Sequence, residues 1–310
     1  MTAISVQWKF VSIPLALLAA AVQVSAQSFS VDVNLVVLHA TVVDKKGGFV
    51  SDLGKQNFEV FEDGKPQTIQ YFSHEDVPVA VGLLVDNSGS MRPKRPDVTA
   101  AAESFVQASN PQDHMFIINF NENPTFGLGN TKLFSANVAD LEKALNGVPA
   151  RGKTALYDAI LMGLDHVKKS SLDKKVLIVV SDGGDNASRH TLPQVLEAAE
   201  RSNVIIYTVG LFDEYDEDRN PGVLKKIARA TGGECFLPLQ IAKVVEISDE
   251  IARDIRNQYT IGYLPSNQNF NSGYRSIQVK ATGPHHAKYV VRTRTGYMAS
   301  AEGKTGESRR

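Results

Sequence analysis

Four short stretches have near-continuous apolar centres, "VAVGLLVD", "DHMFIINF", "KKVLIVVSDG" and "NVIIYTVG", and all but the second end in Asp or Gly. A half-exposed strand alternates apolar and polar residues. A strand apolar on both sides needs cover on both faces. The segments between these stretches supply that cover. "DVTAAAESFVQAS", "VADLEKALNGV", "ALYDAILMGLDHVKKS", "LPQVLEAAERS", "GVLKKIARATGG" and "VVEISDEIARDIR" carry apolar residues at helical spacing. Strands that alternate with helices, joined by right-handed crossovers, predict a doubly wound, mostly parallel α/β sheet over residues 77–256.

The flanks read differently. Val31, Val33, Leu35 and Val37 alternate with other residues, and Asp63-Gly64 between "NFEVFE" and "KPQTIQYF" is a hairpin turn signal. After the helical pattern ends, "QYTIGYL", "YRSIQVKA" and "AKYVVRTRTGY" return to strand spacing. Each zone is too small to fold alone as a sandwich. The expectation is that residues 27–76 and 257–298 join into one β-sandwich-like domain, with the α/β segment inserted between them. Residues 1–26 read as an export signal: Lys9, a short apolar run, then Val24-Ser25-Ala26 before Gln27. That implies a periplasmic or secreted protein with no membrane span after cleavage; an uncleaved signal would leave it anchored. Residues 299–310 are polar and read as a disordered tail.

With 310 residues the chain can bury a sizeable core, and its single cysteine, Cys235, precludes an internal disulfide. The net charge of −1 argues against a nucleic-acid partner. The acids Asp213, Glu214, Asp216, Glu217 and Asp218 follow a strand and should lie on the same upper rim, where they could bind Ca²⁺ or steer a basic patch on a partner. Their spacing is not that of a calcium loop, so they read as a solvated loop, and His285-His286 reads as a turn. Oligomeric state leaves no mark in the sequence.

Ligands of open α/β sheets sit beyond the carboxyl ends of the strands. Asp86-x-Ser88-x-Ser90 follows the first α/β strand, Thr154 opens a helix after Gly152, and Asp182 ends another buried strand. Two carboxylates and three hydroxyls from three loops make an all-oxygen set, suited to a hard divalent ion such as Mg²⁺, Mn²⁺ or Ca²⁺. Taken singly, the same residues are ordinary turn and helix-cap residues.

Asp-x-Ser-x-Ser after a buried strand, then the Thr at a glycine-preceded helix start, then Ser-Asp-Gly after a later strand, resembles the von Willebrand factor type A domain. In that family the pattern is the metal-ion-dependent adhesion site. The resemblance implies that Ser88 and Ser90 bind the ion directly, that Asp86 and Asp182 bind directly or through water, and that Thr154 binds in the ligand-bound arrangement. It also implies an open coordination position for an Asp or Glu of a partner protein. The flanking strands resemble exported acidobacterial proteins related to this family.

The resemblance makes the chain a non-catalytic protein-binding module. Two alternatives stand beside it. One is a Mg²⁺-dependent phosphoryl-transfer enzyme, because residues 147–154 match the spacing Gly-x-x-x-x-Gly-Lys-Thr. That segment follows a helix pattern, whereas a phosphate loop follows a strand. The other is a structural scaffold with a vestigial site.

Overall fold

A computed structural model describes residues 35–129, 131–146, 148–212, 219–269, 273–284 and 287–299. The export signal, the acids at 213–218, the His285-His286 pair and residues 300–310 of the tail lie outside the described residues. In chain order the elements are β1 (Val36–Val43), β2 (Phe58–Glu62), β3 (Lys65–Gln67), β4 (Ile69–Ser73), β5 (Val79–Asp86), α1 (Arg95–Gln107), β6 (His114–Phe120), β7 (Pro124–Phe126), α2 (Val138–Asn146) and α3 (Leu156–Val167). They continue as β8 (Lys174–Ser181), α4 (Leu192–Arg201), β9 (Val204–Gly210), α5 (Pro221–Thr231), β10 (Cys235–Phe236), α6 (Val244–Arg256), β11 (Tyr259–Tyr263), β12 (Gly273–Ala281), β13 (Val290–Arg292) and β14 (Gly296–Ala299).

The expected doubly wound sheet is present, with strand order β10-β9-β8-β5-β6-β7. Its pairs are parallel except β6–β7. Both faces of β5 are buried. Val81, Leu83 and Val85 pack with Val98 and Phe105 of α1 and Ile251 of α6. Ala80 and Leu84 pack on the other side with Leu156 and Ile160 of α3 and Leu224 of α5. Gly82 leaves room for a ring: a Cβ there would lie 2.3 Å from Phe116 and 2.7 Å from Leu177. The edge strand β7 has three residues, too few for an apolar pattern to mark it.

The chain leaves β5 toward β6 on one side, and later places β8, β9 and β10 on the other. The carboxyl ends of β5 and β8 therefore border the point where strand order reverses. That crevice is where such sheets bind ligands.

The flanking strands form two antiparallel four-stranded sheets, β13-β1-β11-β4 and β14-β12-β2-β3. Each sheet mixes strands from before and after the α/β segment. Leu38, Val42, Phe58, Val60, Ile261 and Val279 share one core. Arg275 is fully buried and pairs with buried Glu62 at 3.0 Å. Glu62 also accepts hydrogen bonds from Tyr263 (2.7 Å) and Tyr297 (2.9 Å). The Asp63-Gly64 hairpin is as expected: both residues have positive φ, and β2 pairs with β3.

Two strand readings need correction. In β1 the even-numbered Val36, Leu38, Ala40 and Val42 face the core, not the odd-numbered set with Leu35 and Val37. The odd-numbered His39 and Thr41 are buried too, against the α/β segment, so alternation there misleads. Secondly, "AKYVVRTRTGY" is two strands in two sheets, β13 on β1 and β14 on β12. Between the two strands, Thr293 Oγ1 donates back to His39 O of β1 at 2.8 Å, and Arg294 Nη2 reaches out to Glu200 O of α4 at 2.6 Å.

These contacts place the flanking sheets at the amino ends of the parallel strands, opposite the crevice. Asp254 of α6 lies at the centre of the junction. It accepts from Thr41 Oγ1 (2.5 Å) and Tyr207 OH (2.9 Å), and it pairs with Arg292. Beside it, burial, then Lys174 and Arg294, lower the His39 pKa from 6.5 to about 3. The unfolded chain protonates His39 near pH 6.5, so stability present above that pH is lost as pH falls toward 3. The parent should therefore lose about 2 kcal/mol more than His39→Gln between pH 7.5 and pH 5. Denaturant midpoints at both pH values check this, and parallel losses in the two proteins would contradict it.

Candidate functional site

β5 ends on Asp86, which is 0% exposed. Asp86 Oδ1 accepts from the Ser88 amide at 2.8 Å, and Oδ2 accepts from Ser181 Oγ at 2.7 Å. The Ser88 and Ser90 hydroxyl oxygens lie 3.1 Å apart. Ser90 Oγ then donates to Asp182 Oδ2 at 2.5 Å, and the Gly184 amide donates to Asp182 Oδ1 at 3.2 Å. Asp86, Ser88, Ser90 and Asp182 are thus joined in one hydrogen-bonded chain across the ends of β5 and β8, through the Ser88 amide and then the two serine hydroxyls.

Thr154 reaches the same place by backbone bonds. The Gly89 amide donates to Gly152 O at 3.0 Å, and the Arg151 amide donates to Asn87 O at 2.8 Å. On the other side, Thr154 O accepts from the amides of Asn186 and Ala187, each at 3.0 Å, while the Thr154 amide donates to Asn186 Oδ1 at 2.9 Å. The Thr154 loop is therefore stitched to both neighbouring loops. Among the described residues its hydroxyl has no hydrogen-bond partner. Gly152 has φ +78°, and a Cβ on it would meet the Glu122 carboxylate at 3.0 Å, so glycine is required there.

Several contributing residues escaped the sequence reading. Ser181 stands in the Ser-Asp-Gly motif, but its role, orienting Asp86, is not marked there. Asn87, an unmarked position inside Asp-x-Ser-x-Ser, is fully buried. Its Nδ2 donates to Val85 O and Asn119 Oδ1, and its Oδ1 accepts from Arg95. Arg95 also donates to Leu145 O at 3.1 Å and Val148 O at 3.4 Å, fastening the end of α2 to the serine loop. Lys94, also buried, donates to Leu211 O at 2.9 Å. Asp185 and Asn186, by contrast, stand out in the sequence just after the Ser-Asp-Gly motif, either as groups that could tune an ion or as simple turn residues. Asp185 accepts from the Tyr157 amide (3.0 Å) and Ser188 Oγ (2.6 Å), so it holds α3 against the Asp182 loop. Residues 148–154 lie between α2 and α3 rather than after a strand, which is not the context of a phosphate loop.

Among the described residues neither Asp86 nor Asp182 has a salt-bridge partner, and Asp182 is only 3% exposed. Two buried like charges without a counter-ion are costly. The donor set fits a hard divalent cation: every contacting group is oxygen, and the positive charge that the carboxylates need is one the described side chains do not supply. Among the described residues no group of three or more His, Cys, Asp or Glu side chains is arranged for a metal ion. That is consistent here, because hydroxyls fill the places of further carboxylates.

Geometry and topology together define an α/β module with a polar oxygen cluster at the switch point of its sheet. The family model for the von Willebrand factor type A domain matches residues 81–250, and the chain belongs to that family. Uncharacterised protein sll0103 of Synechocystis sp. is 26% identical over 163 residues, which is 51% of this chain and 37% of that protein. This chain thus spans little more than a third of that relative. A von Willebrand factor type A structure from Catenulispora acidiphila is 14% identical with TM-score 0.52, over 89% of this chain and 76% of that one. A mussel byssus protein, proximal thread matrix protein 1 with a zinc-occupied adhesion-site motif, is 16% identical with TM-score 0.51, over 63% of this chain and 49% of that one. Both structures share the fold.

Burial, and then the charge of Asp182, push the Asp86 carboxyl up to about 7, against hydrogen bonds from Ser181 and Ser88. An unfolded Asp titrates near pH 3.8. Between those values the ion-free native state holds a proton that the unfolded chain lacks, so stability falls as pH rises through the window. Asp86→Asn carries no such charge. In chelator it should gain about 1 kcal/mol on the parent between pH 6 and pH 8. Chemical denaturation at the two pH values tests this, and an unchanged difference would count against it.

Proposed function

We propose that this chain is a non-catalytic module that binds a partner protein through a divalent ion. Asp86, Ser88, Ser90, Thr154 and Asp182 would hold the ion. Mg²⁺ is the first candidate, and an oxygen set of this kind also accepts Mn²⁺ or Ca²⁺. When bound, the ion supplies a positive charge with a coordination position for an Asp or Glu of the partner. The remaining work belongs to the chain: Ser181 and the Ser88 amide orient Asp86, Ser90 orients Asp182, and Asn186 fixes the Thr154 loop. The observation that carries this reading is the pair of buried carboxylates, joined by serine hydroxyls and lacking a salt bridge among the described residues.

The module is exported, by the signal-like pattern of residues 1–26, and the flanking segments 27–76 and 257–298 form one domain that carries it. Among the described residues no helix is long and apolar enough to cross a membrane.

Titration calorimetry of Mg²⁺ and Mn²⁺ into the chain from Gln27 onward, beside Thr154→Ala, tests the ion site. One-site binding in the parent, weaker by about tenfold or more in the variant, is the expected result. A folded parent that gives no heat, and captures partners equally well with and without chelator, would overturn the reading.

A further inference from the structure

The rim around the oxygen cluster is unevenly charged. Arg92, Arg151 and Lys153 all have exposed side chains. Arg92 Nε donates to Ala150 O at 3.3 Å, which lays its guanidinium against the α2–α3 connection. The next residues of that connection run beside the serine loop, since the Arg151 amide bonds Asn87 O and Gly152 O accepts from the Gly89 amide. Gly89 lies between Ser88 and Ser90, so the residues that carry the three cations stand on loops flanking the two hydroxyls. Among the described residues none of the three forms a salt bridge. The acid beside them is Glu122, whose carboxylate packs against Gly152. Once an ion balances Asp86 and Asp182, three cations against one carboxylate leave this side of the rim positive among the described residues, although the whole chain carries −1. Among the described residues, the acids Asp185 and Asp158 on the other side are hydrogen-bonded, Asp185 by Tyr157 and Ser188, and Asp158 by His190.

We propose that this basic rim selects a partner segment with several acids, in which the carboxylate taken at the oxygen cluster is flanked by further Asp or Glu side chains. The proposal rests on the ion-binding reading for the central carboxylate and adds the rim as the source of selectivity. Arginine offers a planar fork that matches a carboxylate, and lysine a point charge. Each exposed pair contributes modestly, roughly two- to fivefold in affinity, and three such pairs multiply. A like-signed rim also speeds the encounter with an acidic segment, and salt screens the effect.

Fluorescence anisotropy with two labelled peptides of equal length is the test. One carries a single Asp among Gly and Ser, and the other carries the same Asp flanked on both sides by Glu. In Mg²⁺ at low salt the acidic peptide should bind at least about tenfold more tightly. The combined variant Arg92→Gln, Arg151→Gln and Lys153→Gln should lose that preference while keeping the parent's Mg²⁺ affinity and unfolding midpoint. Equal affinities for the two peptides, no binding of the acidic one, or a preference that survives in the variant would each overturn the proposal. So would a DNA oligonucleotide that binds more tightly than the acidic peptide. If instead chelator leaves the preference intact, the rim stands and the ion-binding reading fails.

Discussion

Asp86 and Asp182 end adjacent parallel strands, are almost fully buried, and are linked through Ser90 and Ser88. Holding two like charges out of water is unfavourable, and the surrounding structure is organised to limit the cost. Each carboxylate accepts one hydroxyl and one backbone amide, from Ser181 and Ser88 for Asp86 and from Ser90 and Gly184 for Asp182. Four donors soften the repulsion without cancelling it, which is why burial still lifts Asp86 to about 7. Among the described residues no side chain supplies the positive charge that the pair needs, and the crevice lies at the carboxyl ends of β5 and β8, where strand order reverses.

Such a cluster functions only if its loops stay in register. Asn87, Asn119 and Arg95 tie the serine loop to β6 and to the end of α2, and Asn186 ties Thr154 to the Asp182 loop. The flanking sheets are fastened at the opposite end, through Asp254, Tyr207, Thr41 and Arg292. That arrangement leaves the crevice and its basic rim clear of the flanking sheets.

Much of this was legible in the sequence. The continuous apolar strands could pack only in a covered sheet, and the five oxygen-bearing residues stand at strand ends, where open sheets bind ligands. What escaped was what depends on contacts between distant segments. Ser181 and Asn87 look like ordinary polar residues until β5, β6 and β8 are side by side. The register of β1 was misread because both its faces are buried, so alternation carries no sign of which face meets the core. The split of residues 287–297 into two sheets goes with Thr293 bonding back to β1 and Arg294 reaching α4, contacts that strand spacing does not encode. The basic rim is likewise assembled from two loops that meet only in the fold.

The central claim is that the oxygen cluster is an ion site. A diffraction experiment on crystals grown with Mn²⁺, using its anomalous signal, tests it most directly. The account predicts one strong peak in direct contact with the hydroxyl oxygens of Ser88 and Ser90, beside Asp86, Thr154 and Asp182. An ordered site with no peak there, or with Ser90 still bonded to Asp182 and manganese bound elsewhere, would contradict it.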